Sequence, residues 1–206
     1  MVQLVQGATN PTCRELLAKM FRQRYDIFVK EKGWDIKSYN GLEFDQYDTG
    51  ETLYLIDLDR NGNVAASTRM VRTDGPFMLE DVFADMCERP IPKGSDCWEL
   101  TRGALTKNLR GSGHYGRIQC ALIEAALLFG VNKGCGVFSV DLLMAKIRSG
   151  LDAKPLGQPR MIDGEPHVAA DFPLTLDMLG RTRALFKISG PVIEHLHLMP
   201  QQRKAA

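Results

Sequence analysis

Apolar residues recur along this chain at two spacings, and the order in which the spacings alternate sketches a fold. Residues 2–6 read as a short strand. Asn10-Pro11-Thr12 then offers a capping side chain and a proline suited to a first helical turn. Leu16, Leu17, Met20, Phe21 and Phe28 follow at helical spacing, so a helix is expected over about residues 11–31. Residues 33–50 keep no period and read as a long loop, ordered because it carries Trp34, Tyr39, Phe44 and Tyr47. A β-rich run over 52–59 meets Asn61-Gly62, a strong hairpin signal, and returns as a strand over 64–72. Residues 79–86 suggest a short helix and 97–105 a strand. Ile118, Leu122, Ile123, Ala126 and Leu127 line one face of a helix over 114–133. Gly134-Cys135-Gly136 is expected to end it. A strand over 137–140, a short helix to Ser149, one or two strands within 154–173 and a helix over 176–186 complete the pattern.

Helix, loop, antiparallel strands, strand–helix–strand and closing strands make an α+β or three-layer αβα architecture on a mixed sheet. A doubly wound sheet is excluded, because the central strands are joined by a hairpin. No repeat, low-complexity tract or linker divides residues 1–206, which are expected to form one domain.

Composition narrows the function classes. Lys and Arg number 26 against 25 Asp and Glu, a net charge of +1, without the basic excess of a dedicated nucleic-acid binder. The longest apolar stretch, residues 121–131, is broken by Glu124 and too short to span a bilayer. No secretory leader opens the sequence, and the five cysteines form no C-x-x-C pair, so reduced thiols in the cytoplasm are expected. The balance is uneven along the chain: residues 43–99 carry a net −8 and residues 102–160 a net +6. Such a split is often no more than solvated faces, and it matters only if each half meets a ligand of opposite sign.

Three groups of residues carry chemistry. Arg24 and Phe28 share a helix face, and Trp34, Glu43, Asp45 and Asp48 follow in the aromatic loop. They suit a pocket pairing cations with carboxylates beside a stacking surface, although each residue taken singly reads better as part of a solvated surface loop. Glu99 lies within a central strand, where a carboxylate is either an ion-pair member or a working base. Alternation places Glu99, Thr101 and Gly103 on one face and Leu100 and Arg102 on the other, unless a bulge re-aims them. Arg110-Gly111-Ser112-Gly113 connects a strand to a helix and could cradle a phosphate, but it is not a P-loop. His195 and His197 have no partners at zinc-ligand spacing, Ser112 fits no hydrolase triad, and no metal site is expected.

Taken in order, Arg24-x3-Phe28-x5-Trp34, Glu43-x-Asp45-x2-Asp48, Arg69, Phe83 and Glu99-x2-Arg102 resemble the signature of the LuxI-type acyl-homoserine-lactone synthases. The segment 77–83 is similar to the family's stretch before its catalytic strand, and a looser likeness continues through 154–159. The resemblance implies a GNAT-like acyltransferase fold with a central mixed, mostly antiparallel sheet. It also implies a cytoplasmic quorum-sensing synthase. S-adenosylmethionine would give its amine to an acyl thioester, then close its carboxylate into a lactone with release of 5′-methylthioadenosine. On that likeness Glu99 is the base, with Arg102 beside it. Arg24, Phe28, Trp34, Asp45, Asp48, Arg69 and Phe83 serve S-adenosylmethionine. Thr101, Arg102, Arg110, Gly111, Gly113 and Phe138 serve the acyl donor, whose phosphopantetheine would favour Arg102, Lys107, Arg110, Arg117, Lys133, Lys146 and Arg148. An acyl-CoA is slightly favoured over an acyl carrier protein. Phe138 speaks against a 3-oxo group and suits a shortened pocket or a branched, unsaturated or aryl chain. No tightly bound cofactor, no membrane or nucleic-acid partner and a monomer or weak dimer are expected. The alternatives are a GNAT-type N-acyltransferase of another small amine and a non-catalytic binding protein, which would need no Glu99.

Overall fold

A computed structural model describes residues 1–148 and 150–199. Its strands are β1 (Val2–Gln6), β2 (Ser38–Tyr39), β3 (Leu42–Glu43), β4 (Leu53–Leu58), β5 (Val64–Arg72), β6 (Cys97–Leu105), β7 (Lys133–Ser139), β8 (Lys154–Pro155), β9 (Arg160–Ile162), β10 (Glu165–Pro173) and β11 (Ile193–His197). The α-helices are α1 (Arg14–Arg24), α2 (Met78–Asp81), α3 (His114–Leu128), α4 (Val140–Arg148) and α5 (Leu176–Phe186). The sheet runs β11-β1-β4-β5-β6-β7-β10-β8, with β9 also on β10. Among the described residues only β1–β11 and β6–β7 pair in parallel, so the sheet is mixed and mostly antiparallel.

Alternation on β4 explains the layers. Leu53 and Leu55 pack with Ile118, Ala121, Leu122 and Ala125 of α3 and Met178 and Leu179 of α5. Tyr54 and Ile56, one residue out of phase, pack with Leu17, Met20 and Phe21 of α1. Helices therefore cover both faces, giving the three-layer αβα arrangement. Among the described residues no helix is long and apolar enough to cross a membrane.

Several boundaries differ from the sequence reading. The first helix is composite: a 3-10 turn (Pro11–Cys13) capped by the Asn10 side chain, then α1, then a π-helical segment over Tyr25–Glu31. Helix α3 stops at Leu128, and Gly134 and Gly136 lie inside β7 instead of ending the helix. Their lack of a side chain is needed for packing. A Cβ on Gly136 would come 2.7 Å from the Leu100 carbonyl oxygen, and one on Gly134 would strike the Phe172 ring. The loop over 33–50 contains a β2–β3 hairpin turned by Asn40 and Gly41, both left-handed. The expected short helix divides into α2 and a 3-10 turn at Ala84–Met86. Residues 154–173 supply three strands, and β11 is an unforeseen parallel edge on β1. The expected end of α4 at Ser149 lies outside the described residues.

Candidate active site

The parallel β6–β7 ladder ends at Glu99↔Cys135. Beyond that point Leu100–Leu105 and Val137–Ser139 stand on opposite walls of a cavity of about 1150 Å³. A strand edge freed from its partner leaves backbone amides available to a ligand.

On the other edge of β6, the pairing with β5 shifts between Ser67 and Arg69, and Arg102 takes a left-handed conformation at φ 52°. This bulge overturns the simple alternation. Arg102 turns toward the charged residues beside Thr101, with Nε 3.1 Å from Glu43 Oε1 and Nη2 2.9 Å from Asp45 Oδ2.

Arg102 enters a closed charge network. Arg24 donates from Nε to Glu43 Oε2 at 2.5 Å and, through its two terminal nitrogens, to Asp48 at 2.8 and 3.0 Å. Arg69 grips Asp45 at 2.5 and 3.1 Å, meets Asp48 at 3.0 Å, and donates from Nε to Thr101 Oγ1 at 2.9 Å. The Tyr54 hydroxyl adds a bond of 2.9 Å to Asp48. Arg24 and Arg69 are each 1% exposed and Glu43 0%, so three guanidinium groups and three carboxylates neutralise one another in a nearly dry setting. Burial alone would raise the Asp48 carboxyl, but Arg69 and Arg24 outweigh it and hold it at about 2. Arg24, Asp48 and Arg69 stand behind the cavity wall, whereas Glu43, Asp45, Thr101 and Arg102 line it.

The π-helical segment positions the aromatics. Its wider turn is closed by Lys32 N donating to Ile27 O, and Trp34 N then donates to Phe28 O at 2.9 Å. The Phe28 and Trp34 rings stack at 4.9 Å with an interplanar angle of 7°, and the Arg102 guanidinium lies 5.8 Å from the Phe28 ring centre. Phe83 lines the cavity from beyond α2.

Glu99 is 1% exposed and lines the same cavity. Its carboxylate accepts the backbone N–H groups of Met78 at 2.9 Å and Leu79 at 2.6 Å, in the first turn of α2. Burial pushes its pKa above the usual carboxylate range, and the two amides and Arg69 oppose that rise. A carboxylate fixed in this way keeps one geometry while remaining a better proton acceptor than a solvated one.

The third sequence group fares differently. Gly111 and Gly113 are left-handed, as a tight loop before α3 requires, but neither they nor Arg110 line the cavity. Arg110 pairs instead with Glu31 at 3.0 Å on the surface. Arg117 is spent on buried Asp57, at 3.0 and 2.5 Å.

Phe138 does line the cavity, at the end away from Asp45, with Tyr115, Ile118, Gln119, Leu122 and Lys146. Lys146 was expected among the cations that meet the donor's phosphopantetheine; it is only 9% exposed, because it follows Leu143 by three positions on the inward face of α4. Tyr115 and Gln119 stand four positions apart on the predicted helix, but no signal in the sequence marks Lys146 as their neighbour. Among the described residues no cluster of His, Cys, Asp and Glu could hold a metal.

The autoinducer synthase family profile matches residues 10–178. An acyl-homoserine-lactone synthase of Pseudomonas aeruginosa is 28% identical over 180 residues, covering 84% of this chain and 87% of the relative. The structure of MesI, a CoA-dependent acyl-homoserine lactone synthase, superposes with a TM-score of 0.86 at 25% identity, covering 94% of this chain and 99% of that one. BjaI, a CoA-dependent synthase with SAM and isopentyl-CoA, shares the fold at a TM-score of 0.89 and 23% identity, covering 97% and 95%.

Proposed function

The chain belongs to the autoinducer synthase family, and from that premise we propose how its residues make an N-acyl-homoserine lactone from S-adenosylmethionine and an acyl thioester. The observation that carries this reading is the meeting of a fixed, buried Glu99 with the arginine–carboxylate network on one wall of the cavity.

S-adenosylmethionine brings a sulfonium, an ammonium and a carboxylate. The network is internally neutral, so Glu99 adds the net negative charge that a cationic substrate needs. Asp45 and Glu43 face the ammonium and sulfonium, Arg102 faces the carboxylate, and the Phe28–Trp34 stack with Phe83 walls the ring system. Arg24, Asp48 and Arg69 hold those groups from behind.

The ammonium is not nucleophilic until it loses a proton. Glu99 takes that proton, directly or through one water. The freed amine attacks the thioester carbonyl, and backbone amides around Thr101–Gly103 receive the developing oxyanion. Collapse expels the thiol and leaves an amide. The substrate's own carboxylate then displaces the sulfonium carbon, closing the lactone and releasing 5′-methylthioadenosine.

The acyl donor runs between the separated ends of β6 and β7, with its chain toward Phe138. An acyl-CoA is favoured over an acyl carrier protein, in keeping with the likeness to MesI. Its diphosphate is assigned to the amides of Gly111 and Gly113, with Arg110 exchanging its exposed Glu31 partner at little cost.

Glu99→Gln tests the reading. Glutamine can accept only one of the two α2 amides, so a stability loss of about 1–3 kcal/mol is expected in a protein that still folds. Release of 5′-methylthioadenosine should fall by about 10²–10⁴-fold. Wild-type turnover in the folded variant would remove Glu99 from the base role. Parallel assays with matched acyl-CoA and acyl-carrier donors decide the donor class.

A further inference from the structure

Tyr47 joins two parts of the charged end of the cavity. Its backbone is pinned on both sides: Tyr47 N donates to Asp45 Oδ1 at 2.9 Å, and Tyr47 O accepts from Thr52 Oγ1 at 2.6 Å. The side chain is buried, with the Arg69 guanidinium 5.7 Å from the ring centre. The hydroxyl then leaves this network and donates to Asp81 Oδ2 at 3.1 Å. Asp81 is the last residue of α2, and the first turn of α2 supplies the two amides that hold Glu99.

A helix of one turn has little stability of its own, so its neighbours set its position. Phe77 and Leu79 pack with Tyr47 in one buried cluster, which fixes where α2 lies. The freedom left is rotation about that anchor, and rotation would swing both amides away from Glu99. On the outer side Glu80 pairs with the exposed Lys93, and a solvated pair of this kind holds little. Burial pushes the Tyr47 hydroxyl above the ordinary phenol range, so it stays a donor wherever Glu99 titrates.

Resting on the synthase reading above, with Glu99 as its base, we propose that Tyr47 is a positioning residue: its hydroxyl, bonded to Asp81, holds α2 so that the Met78 and Leu79 amides keep Glu99 in place for the substrate amine. Glu99 also faces Arg69 and Asp45 of the network, Tyr47 in the loop and the Cys135 thiol on β7. The amides lower the Glu99 pKa against the rise that burial imposes, so a slack α2 lets it climb. Loss of the Asp81 charge by itself would act the other way, since one carboxylate disfavours ionisation of another.

The test follows the acidic limb of kcat/KM by 5′-methylthioadenosine release. Tyr47→Phe keeps the ring beside Arg69 and removes one hydroxyl, Asp81→Ala removes the acceptor, and Asp81→Asn keeps an oxygen acceptor without the charge. In Tyr47→Phe and Asp81→Ala the limb should move to higher pH by about half a unit or more, a loss of about threefold in rate at a fixed pH on the limb. Asp81→Asn should keep the wild-type limb. Thermal melts confirm that each variant is folded. A limb that stays or moves lower in folded Tyr47→Phe or Asp81→Ala overturns the proposal, and so does Asp81→Asn shifting as far as Asp81→Ala. With Glu99→Gln inactive alongside, either result leaves the base reading intact; wild-type turnover of Glu99→Gln overturns both.

Discussion

The two ends of the cavity handle buried charge in opposite ways. Near Asp45, three arginines and three carboxylates satisfy one another through bonds of 2.5–3.1 Å, so each charge is returned most of the solvation it lost. Near Phe138, one ammonium sits among rings and an amide. The first arrangement is stable as a unit and intolerant of losing a member; the second is a local cost that removal relieves. Buried charge is therefore no single kind of evidence. A closed network marks a wall that must not move, and a cation set among aromatic rings marks a local cost of burial.

Breaking the closed end gives the largest expected effect. Arg69→Met leaves Asp45 without its two-nitrogen partner and Asp48 with Arg24 as its one remaining guanidinium, in a region that water barely reaches. The loss should be about 3–5 kcal/mol in chemical denaturation, well above that of an exposed pair such as Arg110–Glu31. A loss below about 1 kcal/mol would mean that the network is looser than its geometry.

The same end should be sensitive to acid. The folded Asp48 pKa, about 2, lies below the ordinary value of 3.8, so its contribution is present above about pH 4 and is lost as pH falls toward 2. The stability gap between wild type and Asp48→Asn should therefore shrink by about 2 kcal/mol between pH 5 and pH 2. A gap that does not change with pH would show that Asp48 acts by shape alone.

The contrast also explains what the sequence could reveal. The layers, the sheet order around the 61–62 hairpin and the charged wall follow from spacing, because Arg24 and Phe28 share a helix face and Asp45 and Asp48 share a short loop. Arg102 was misplaced because its direction depends on a bulge, and the bulge depends on how β5 and β6 register, which is a tertiary fact. Asn40-Gly41 carries the same turn signal as Asn61-Gly62 but was passed over, since its strands are only two residues long. Strand β11 was missed because Glu194, His195 and Leu196 are exposed on an edge, so burial imposes no alternation there. Lys146 was counted with the cations for the donor's phosphopantetheine because charge is legible in a sequence and burial of a single lysine is not.

Lys146→Met should produce the smallest change in stability and one of opposite sign. The folded pKa of about 8 lies below the ordinary 10.5, so the native state holds this proton less tightly than the unfolded chain does. The penalty is full below about pH 8 and fades as pH rises toward 10.5. Methionine matches the length, removes the penalty and gives up the bond to Gln119. At pH 7 the variant should be more stable than wild type by about 1–2 kcal/mol, with the advantage declining above pH 8. A destabilised variant would place Lys146 with the closed network, as a charge the fold needs. A stabilised variant would show that burying this ammonium costs the fold more than its bond to Gln119 returns.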